Sequence, residues 1–498
     1  MTNPRFADLL TWDLRHACRN PLLWLVLLVL GASLIWGAQD TARLHRAQTE
    51  AQMRTIAAES AHRASMEARA AAYRVPASPE APEVPYWQDP TNVSGFSQYF
   101  VFQNALKPHF ALSPLAAGVS DISPSRLEIK LNTLFGFEDS YDFENPRGLA
   151  LGRFDMGFAL TYLLPVALIL IIVFLTSFER DRGLLRMMAS QGVTPRLWLQ
   201  ARLGAIAIWT IPAIVLEILV ALAVARVPLA FDSAELLVAL LACLGYVALW
   251  FGIAALVLHG LPPSSSALGT LASIWAALAI GLPLFGGMLA STLDPAPSTI
   301  AYVNERRATN DAVQAEREVI LRNGLAQSAS LPSGREIRTS ELDYATQLTF
   351  LVPEMEKRLA PMREEMTRHA SRQARLSLAS GYVALPLGMA NALAVLAGSD
   401  PQRQMDFQEQ SRAYQLKLRE VLYPEVQNEV VSPSPRAVPA LRGRYSRFDR
   451  NLPGFSMLDK PVSERIWGPL SFGVWCLLLG ASLTAWGLMR ARDWPADL

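Results

Sequence analysis

Residues 156–178 read MGFALTYLLPVALILIIVFLTSF and contain no charged side chain. A helix needs about 20 mainly apolar residues to cross the hydrocarbon core of a bilayer, and this run is long enough. On both sides of it, five further stretches have the same character: 21–38, 203–225, 236–258, 267–290 and 467–489. The sequence therefore predicts a mainly α-helical membrane protein with six transmembrane helices.

The composition agrees with a membrane protein. Of the 498 residues, 51% are hydrophobic and 18% are charged, whereas soluble domains usually carry about 25% charged residues. Lys and Arg total 45 and Asp and Glu total 44, and this balance excludes a broadly nucleic-acid-binding polycation. The three cysteines, Cys18, Cys243 and Cys476, lie in or beside apolar runs, which excludes a disulfide framework.

The arginines predict the orientation of the six helices. Five of them lie in loop 179–202, and others flank the first and last apolar stretches. Stretch 21–38 resembles a signal peptide, but Trp36 blocks a cleavage site, so we interpret it as an uncleaved signal anchor. Because basic residues concentrate in cytoplasmic loops, we expect a multi-pass membrane protein whose N- and C-termini lie in the cytoplasm. The segments expected in the cytoplasm are 1–20, 179–202, 259–266 and 490–498.

Two long inserts, 39–155 and 291–466, are then expected in the periplasm. Residues 40–74 contain no Gly or Pro and predict a helical stalk that continues the first span. The aromatic and breaker residues of 91–125 favour irregular structure or short strands. We therefore expect a mostly helical periplasmic domain with some β structure. Further helices are predicted at 301–323, 341–380 and 401–421.

One segment of the second insert, GYVALPLGMANALAVLAG at 381–398, carries no charge. Pro386, Gly388, Asn391 and the parity of the topology argue against a seventh span. Two interpretations remain: a helix lying on or dipping into the outer leaflet, which we favour, and a buried core helix.

Motifs for catalysis or metal binding are absent from the sequence. There is no HExxH, CxxC or G-x-S-x-G, and none of the five lysines follows a glycine, so there is no Walker A loop. The six histidines are scattered. We expect this chain not to be an enzyme and to bind no cofactor or metal.

Two segments predict functional surfaces on the cytoplasmic side. Residues 4–19 have the pattern of an amphipathic helix at the membrane interface. Residues 178–202, FERDRGLLRMMASQGVTPRLWLQAR, combine alternating charges, four apolar residues and the breakers Gly192 and Pro195. We expect a short helix that presents Leu184, Leu185, Met187 and Met188 to a partner protein. The alternative is a solvated connecting loop.

On these residues the sequence resembles the permease subunits of ABC-2 type exporters. Their loop between spans two and three carries an E-R-x-x-G-x-L element, followed by turn residues and a basic residue that enters span three. The matching residues here are Glu179, Arg180, Gly183, Leu185 and Arg202.

The match has two departures. Leu184 stands where the family often has Thr, and Gln191-Gly192 stand where it often has Pro. The inserts resemble one subgroup of the family whose periplasmic domain has no assigned function. The segments that carry this second likeness are 112–121, 145–155 and 396–410.

The resemblance implies a complex in the bacterial inner (cytoplasmic) membrane. Two cytoplasmic ABC ATPases would bind ATP and Mg²⁺, and a second copy of the permease or a related permease would complete the membrane part. A periplasmic partner is compatible with the large inserts, and nucleic acid is not expected. The residues implied in coupling to the ATPase are Glu179, Arg180, Arg182, Gly183, Leu184, Leu185 and Met188.

Three hypotheses about function follow. The first is a permease that exports a hydrophobic or amphipathic substrate, such as a lipid-linked molecule, a peptide or a siderophore-like metabolite. The second is a mechanotransmitting subunit that drives periplasmic partners without translocating a substrate. The third is a membrane scaffold outside the ABC class.

Charged residues suggest two further candidate functional sites, one inside a predicted span and one in the second insert. Glu217 is the only ionisable residue inside a predicted span, where a carboxylate costs a few kcal/mol, so it should face protein or water. It is either a pathway or gating residue, or a protonated carboxyl bonded to a neighbouring helix. Arg442, Arg444 and Arg447 are candidate contacts for anionic head groups or an anionic ligand. The alternative is that these arginines tie the loop to its own domain.

Overall fold

The computed structural model describes residues 6–73, 86–88, 92–132, 134, 153–228, 233–327, 339–429 and 452–494. In chain order, the helices are α1 Phe6–Arg19, α2 Pro21–Tyr73, α3 156–175, α4 Ser177–Asp181, α5 Leu184–Ser190, α6 Pro195–Val224, α7 Ala234–Leu258, α8 Ser264–Leu293, α9 Thr299–Ala315, α10 Arg317–Gln327, α11 Tyr344–Ser380, α12 Leu385–Ala397, α13 Pro401–Glu429 and α14 Val462–Arg490.

Six of these helices are long and apolar enough to cross a membrane, which confirms the helical class and the six apolar helices predicted from the sequence. They are α2, α6, α7, α8, α14 and the helix formed by α3 with α4. Their inward faces form one continuous apolar core.

Polar caps fix where several helices begin. The side chains of Asp155, Thr194, Ser233, Ser298 and Asp343 each accept a hydrogen bond from a backbone N–H in the first turn of the helix that follows. These donors have no partner within the helix, so a cap stabilises the start of each helix by about 1 kcal/mol.

Glycines allow α7 and α14 to pack with their backbones in contact. Gly245 and Gly252 are seven residues apart on α7, and they face Gly473 and Gly480, which have the same spacing on α14. A methyl group on Gly480 would lie 2.5 Å from the Ala248 carbonyl oxygen, closer than real side chains approach. Small residues at helix contacts within membranes let the two backbones approach closely.

Four segments meet at one end of the bundle: α1, residues 177–194, the turn 259–263 and residues 491–494. Arg180 donates to the Leu261 carbonyl oxygen, and the Trp494 indole N–H lies 3.0 Å from the Val193 carbonyl oxygen. The turn between α6 and α7 lies at the opposite end, where Arg46 Nη2 is 3.1 Å from the Ala225 carbonyl oxygen.

At that opposite end the two inserts fold together into one unit, which we call the insert domain. Strands β1 (Gln103–Leu106) and β2 (Arg126–Ile129) pair antiparallel, with Gln103 opposite Ile129. Buried side chains of the hairpin, such as Ile129, pack in one core with Phe407 and Leu418 of α13. The predicted mixture of helices and short strands agrees with this arrangement.

Helix α2 joins the bundle to the insert domain without a break. Its 53 residues correspond to about 80 Å at a rise of 1.5 Å per residue. In the insert domain, Gln52 Nε2 lies 2.9 Å from the Lys107 carbonyl oxygen and 3.0 Å from that of Ser125. The helical stalk predicted over 40–74 is observed as far as Tyr73.

Helix α12 occupies the uncharged segment of the second insert. It has 13 residues, meets α11 at an angle of 119°, and is too short to cross a membrane alone. Met389 and Leu393 are fully buried in the core shared with the apolar helices. Burial against the apolar helices is expected both for a helix that dips into the membrane and for a buried core helix, so both interpretations from the sequence stand.

Candidate functional site

The segment between α3 and α6 folds as two short helices separated by a tight turn. Gly183 has a φ of 72°, a left-handed conformation that favours glycine, and it lets α5 leave α4 in a new direction. Gly192 (φ 77°) and the cap Thr194 then start α6 at Pro195. The short helix and turn predicted from the sequence are therefore present.

The α5 helix is anchored on one face and exposed on the other. Leu185 and Met188 are buried in the core of the bundle, while Leu184 is 37% and Met187 is 55% exposed. The prediction that all four apolar side chains are presented to a partner is therefore wrong for Leu185 and Met188. The reason is the helical period, which turns residues 185 and 188 to the same face and residues 184 and 187 to the other.

A buried group of charged residues joins α1, α4 and α6. Nη2 of Arg202 on α6 lies 2.7 Å from both carboxylate oxygens of Glu179 on α4 and 3.1 Å from Oδ1 of Asp13 on α1. We call these three residues the elbow cluster. All three side chains are almost completely buried, so their charges are paired where solvent does not screen them.

Aromatic rings complete the surroundings of Arg202. Its guanidinium carbon lies 5.6 Å from the Trp12 ring centroid and 5.8 Å from that of Trp198. Rings at this distance attract a cation. Arg202 Nε and Nη1 have no hydrogen-bond acceptor among the residues that the structure describes. The position of the guanidinium is thus set by Asp13, Glu179 and the two rings.

The elbow cluster holds two carboxylates and one guanidinium, and this imbalance affects Asp13. Burial raises the pKa of Asp13 to about 6, and the neighbouring Glu179 adds to the increase while Arg202 opposes it. His16, 3.5 Å from Glu179, has its pKa lowered by burial and by Arg202. Near pH 6, therefore, the charge of the elbow cluster depends on Asp13.

Glu179 and Arg202 were predicted from the sequence, whereas Asp13, His16, Trp12 and Trp198 were not. A signal for Asp13 is present in the sequence, because residue 13 lies three or four positions from Leu9, Leu10 and Ala17 on the apolar stripe of α1. A charged residue inside such a stripe needs a partner of opposite charge.

The neighbouring Arg180 and Asp181 fix the turn before α8. Arg180 donates to the Leu261 carbonyl oxygen, and Asp181 accepts hydrogen bonds from the Ser264 hydroxyl and, at 3.4 Å, from its backbone N–H. Arg182 is exposed beside Leu184 at the tip of the segment. The residues predicted for ATPase coupling therefore divide into buried anchors, turn contacts and an exposed tip.

Glu217 lies in α6 against α2. A methyl group on Gly31 of α2 would be 3.1 Å from Glu217 Cδ, so the carboxyl group packs against protein. Its Oε2 atom is buried and has no hydrogen-bond partner within the described part of the chain. Arg442, Arg444 and Arg447 lie outside the described residues.

Helix α8 is the least buried of the six apolar helices. Along one exposed line it carries a small residue at every fourth position. Residues four apart share a helix face, and small residues let two helices approach closely in a bilayer. The residues of this small-residue ribbon are Ser265, Gly269, Ser273, Ala277 and Gly281.

Comparison with known proteins gives a family only for part of the insert domain. Residues 299–431, which include α9 to α13, match the family described as a domain of unknown function (DUF3526). No curated protein and no solved structure shows a significant match to the chain.

Proposed function

We propose that this chain is the membrane-spanning permease subunit of an ATP-driven ABC exporter in the bacterial inner membrane. In this proposal α5 is the coupling helix that contacts a cytoplasmic ATPase dimer. The observation that carries it is that Leu184 and Met187 are exposed on a helix that is anchored from behind by Leu185 and Met188.

The elbow cluster explains how a push on α5 would reach the membrane helices. Arg202 ties α6 to α4 through Glu179 and to α1 through Asp13, so three elements move together with the coupling segment. A buried ion pair holds its geometry because breaking it leaves an uncompensated charge away from water. Displacement of α5 is thus transmitted as a rigid-body movement rather than absorbed locally.

The small-residue ribbon of α8 supports pairing with a second permease, either an identical copy or a related chain. Its exposed members lie on a helix that makes few contacts within its own chain. Close packing of two such ribbons would bring the two bundles together around a common axis.

In this assembly the ATPase partner binds ATP and Mg²⁺, and the permease binds neither. The substrate class that we propose is hydrophobic or amphipathic: a lipid-linked molecule, a peptide or a siderophore-like metabolite. Glu217 is a candidate pathway residue, since its buried Oε2 lies between α2 and α6 without a hydrogen bond to the described residues.

One observation favours the mechanotransmitting alternative. Helix α2 continues from the bundle into the insert domain, where Thr55 accepts a hydrogen bond of 2.7 Å from Arg126. A continuous helix of this kind can transmit movement of the bundle to a periplasmic partner without any substrate crossing the bilayer.

The coupling assignment is tested by placing charge on the exposed face of α5. We expect the double variant Leu184→Asp, Met187→Asp to lose at least 90% of co-purified ATPase while its amount in the membrane is unchanged. The matched control is Ile122→Asp, Val319→Asp, which changes two exposed apolar residues of the insert domain. Normal co-purification of the ATPase with the α5 variant would overturn the assignment.

A further inference from the structure

A cavity of about 290 Å³ lies where the insert domain meets the apolar helices. Its walls come from Phe110, the end of α11, α12, the first turns of α13, the segment 457–465 and the start of α14. Ligand sites often lie between domains, and this volume is at the lower end of small-molecule pockets. It suits a small polar head group rather than a whole lipid.

One half of the cavity is apolar and opens beside an apolar rim. Leu378, Val395 and Phe472 line this half. Tyr382 and Gly468 also line the cavity, and their chain neighbours Val383 and Trp467 are each 66% exposed. An exposed Trp near the end of a spanning helix is typical of the membrane interface. This rim therefore suits the level of the lipid head groups, on the side of the insert domain.

The other half carries both signs of charge. Arg403 and Asp459 already form a pair, with Nε and Oδ1 2.7 Å apart, so neither is available to a ligand. Asp406 accepts a hydrogen bond of 2.8 Å from Gln402 through Oδ1, while its Oδ2 is 3.9 Å from Lys460 Nζ. Glu464 is exposed. These three side chains can accept new partners without breaking a close ion pair.

Arg465 adds an unused donor. It pairs with Glu235, and its guanidinium carbon lies 3.7 Å from the centroid of the Phe110 ring. Its Nε atom is buried and has no hydrogen-bond acceptor among the described residues. A buried donor without an acceptor is costly, and a phosphate oxygen is a strong acceptor for an arginine N–H.

We propose that this junction cavity binds the head group of a phospholipid that carries a primary ammonium group, as phosphatidylethanolamine does. Asp406 and Glu464 accept hydrogen bonds from the ammonium group, and Arg465 and Lys460 contact the phosphate. The acyl chains leave past the apolar rim into the bilayer.

The mixed charge decides between lipid classes. An anionic lipid without an amine would bring its phosphate to the cavity but would leave Asp406 and Glu464 unneutralised. A quaternary ammonium group, as in phosphatidylcholine, has no N–H to donate to these carboxylates. Of these three head groups, only the primary ammonium next to a phosphate offers both an N–H donor to the carboxylates and an acceptor to Arg465 and Lys460.

The site does not depend on the proposed export function. Residues 299–431, which match the family of unknown function, supply Leu378, Val395 and Asp406 to it. A lipid held here would fix the insert domain to the membrane surface whether or not a substrate is translocated.

The test uses the full-length protein in nanodiscs that contain equal amounts of phosphatidylethanolamine, phosphatidylcholine and phosphatidylglycerol. Lipids that remain after transfer to detergent are quantified by mass spectrometry. We expect phosphatidylethanolamine to be enriched at least fivefold over each of the other two. Enrichment of phosphatidylglycerol, or no enrichment, would overturn the proposal.

Variants locate the binding to the cavity. The double variant Glu464→Gln, Asp406→Asn should retain no more phosphatidylethanolamine than phosphatidylcholine. The control Glu409→Gln, at an exposed position of α13 outside the cavity, should leave the enrichment of phosphatidylethanolamine unchanged. If the double variant has a lowered melting midpoint, Glu464→Gln alone should still reduce the enrichment at least twofold. Full enrichment in the single variant would overturn the assignment.

A soluble competitor distinguishes a lipid from a free head group. Phosphoethanolamine added at 1,000 times the lipid concentration should displace less than half of the bound phosphatidylethanolamine, because it lacks the chains that contact the apolar rim. If phosphoethanolamine at a concentration equal to that of the lipid displaced at least half of the bound phosphatidylethanolamine, the ligand would be a soluble head group. That result would overturn the lipid assignment.

Discussion

Nη2 of Arg202 lies 2.7 Å from both carboxylate oxygens of Glu179, and the two side chains join helices α6 and α4 in a buried site. Asp13 contacts the same nitrogen from α1. One atom thus holds together three elements at the end of the bundle that we propose to face the ATPase.

Removing Arg202 should destabilise the protein strongly. Arg202→Met leaves two carboxylates buried without a cation, which costs about 3–5 kcal/mol in comparable sites. The measurement is the melting midpoint in nanodiscs. Arg368→Met, which breaks only exposed pairs with Glu364 and Glu365, should change the midpoint by less than a degree or two.

Neutralising the whole elbow cluster should recover part of that loss. The triple variant Asp13→Asn, Glu179→Gln, Arg202→Met carries no charge at any of the three positions. Its melting midpoint should therefore lie above that of the single variant Arg202→Met. A triple variant that is less stable than the single variant would show that the three charges do not act as one group.

Docking of α1 should weaken as the pH rises through about 6. The folded-state pKa of Asp13, about 6, is above its ordinary value of 3.8. The stabilising contribution of its bound proton is therefore complete below about pH 4 and is lost as the pH passes 6. Hydrogen exchange of residues 6–19, corrected for intrinsic rates, should show less protection at pH 7.5 than at pH 5.

His16 also makes the stability depend on pH, because its lowered pKa destabilises the folded state as the pH falls. The comparison is therefore made in a His16→Gln background. Adding Asp13→Asn should abolish the pH effect, while adding Asp8→Asn, at an exposed position of α1, should preserve it. An unchanged pH effect in the Asp13 variant would contradict the assignment.

A methyl group at the α7–α14 contact should be poorly tolerated. Gly480→Ala places its Cβ 2.5 Å from Ala248 backbone atoms, and overpacking of this kind usually costs about 1–3 kcal/mol. Gly468→Ala on the same helix meets no atom within 4 Å and serves as the control. Equal melting midpoints for the two variants would contradict the close backbone contact.

Breaking α2 within the insert domain should separate export from mechanotransmission. Arg54 is exposed on α2, and proline in a helix interior costs about 3 kcal/mol and kinks the helix. For an exporter, Arg54→Pro should retain at least half of the ATPase stimulation by an amphipathic substrate. Loss of all stimulation in this variant, with Arg54→Ala active, would instead support the mechanotransmitting alternative.

Hydropathy and local propensity determined much of this protein. Six apolar runs gave six helices because a bilayer-length helix needs an uninterrupted apolar sequence. Residues 40–74, without Gly or Pro, gave the stalk, and the insert helices also follow local patterns. The short helix and turn between α3 and α6 were predicted from the order of charged, apolar and turn residues.

The tertiary structure alone decided which of these local features meet. Asp13 and Arg202 are 189 positions apart, and no local pattern pairs them. The same holds for Gly252 and Gly480, and for Ile129 and Phe407, which bring the two inserts into one core. Local sequence sets which face of a helix is apolar, but the partner of that face depends on packing between distant segments. For this reason the buried half of α5 and the junction cavity became visible only in the folded chain.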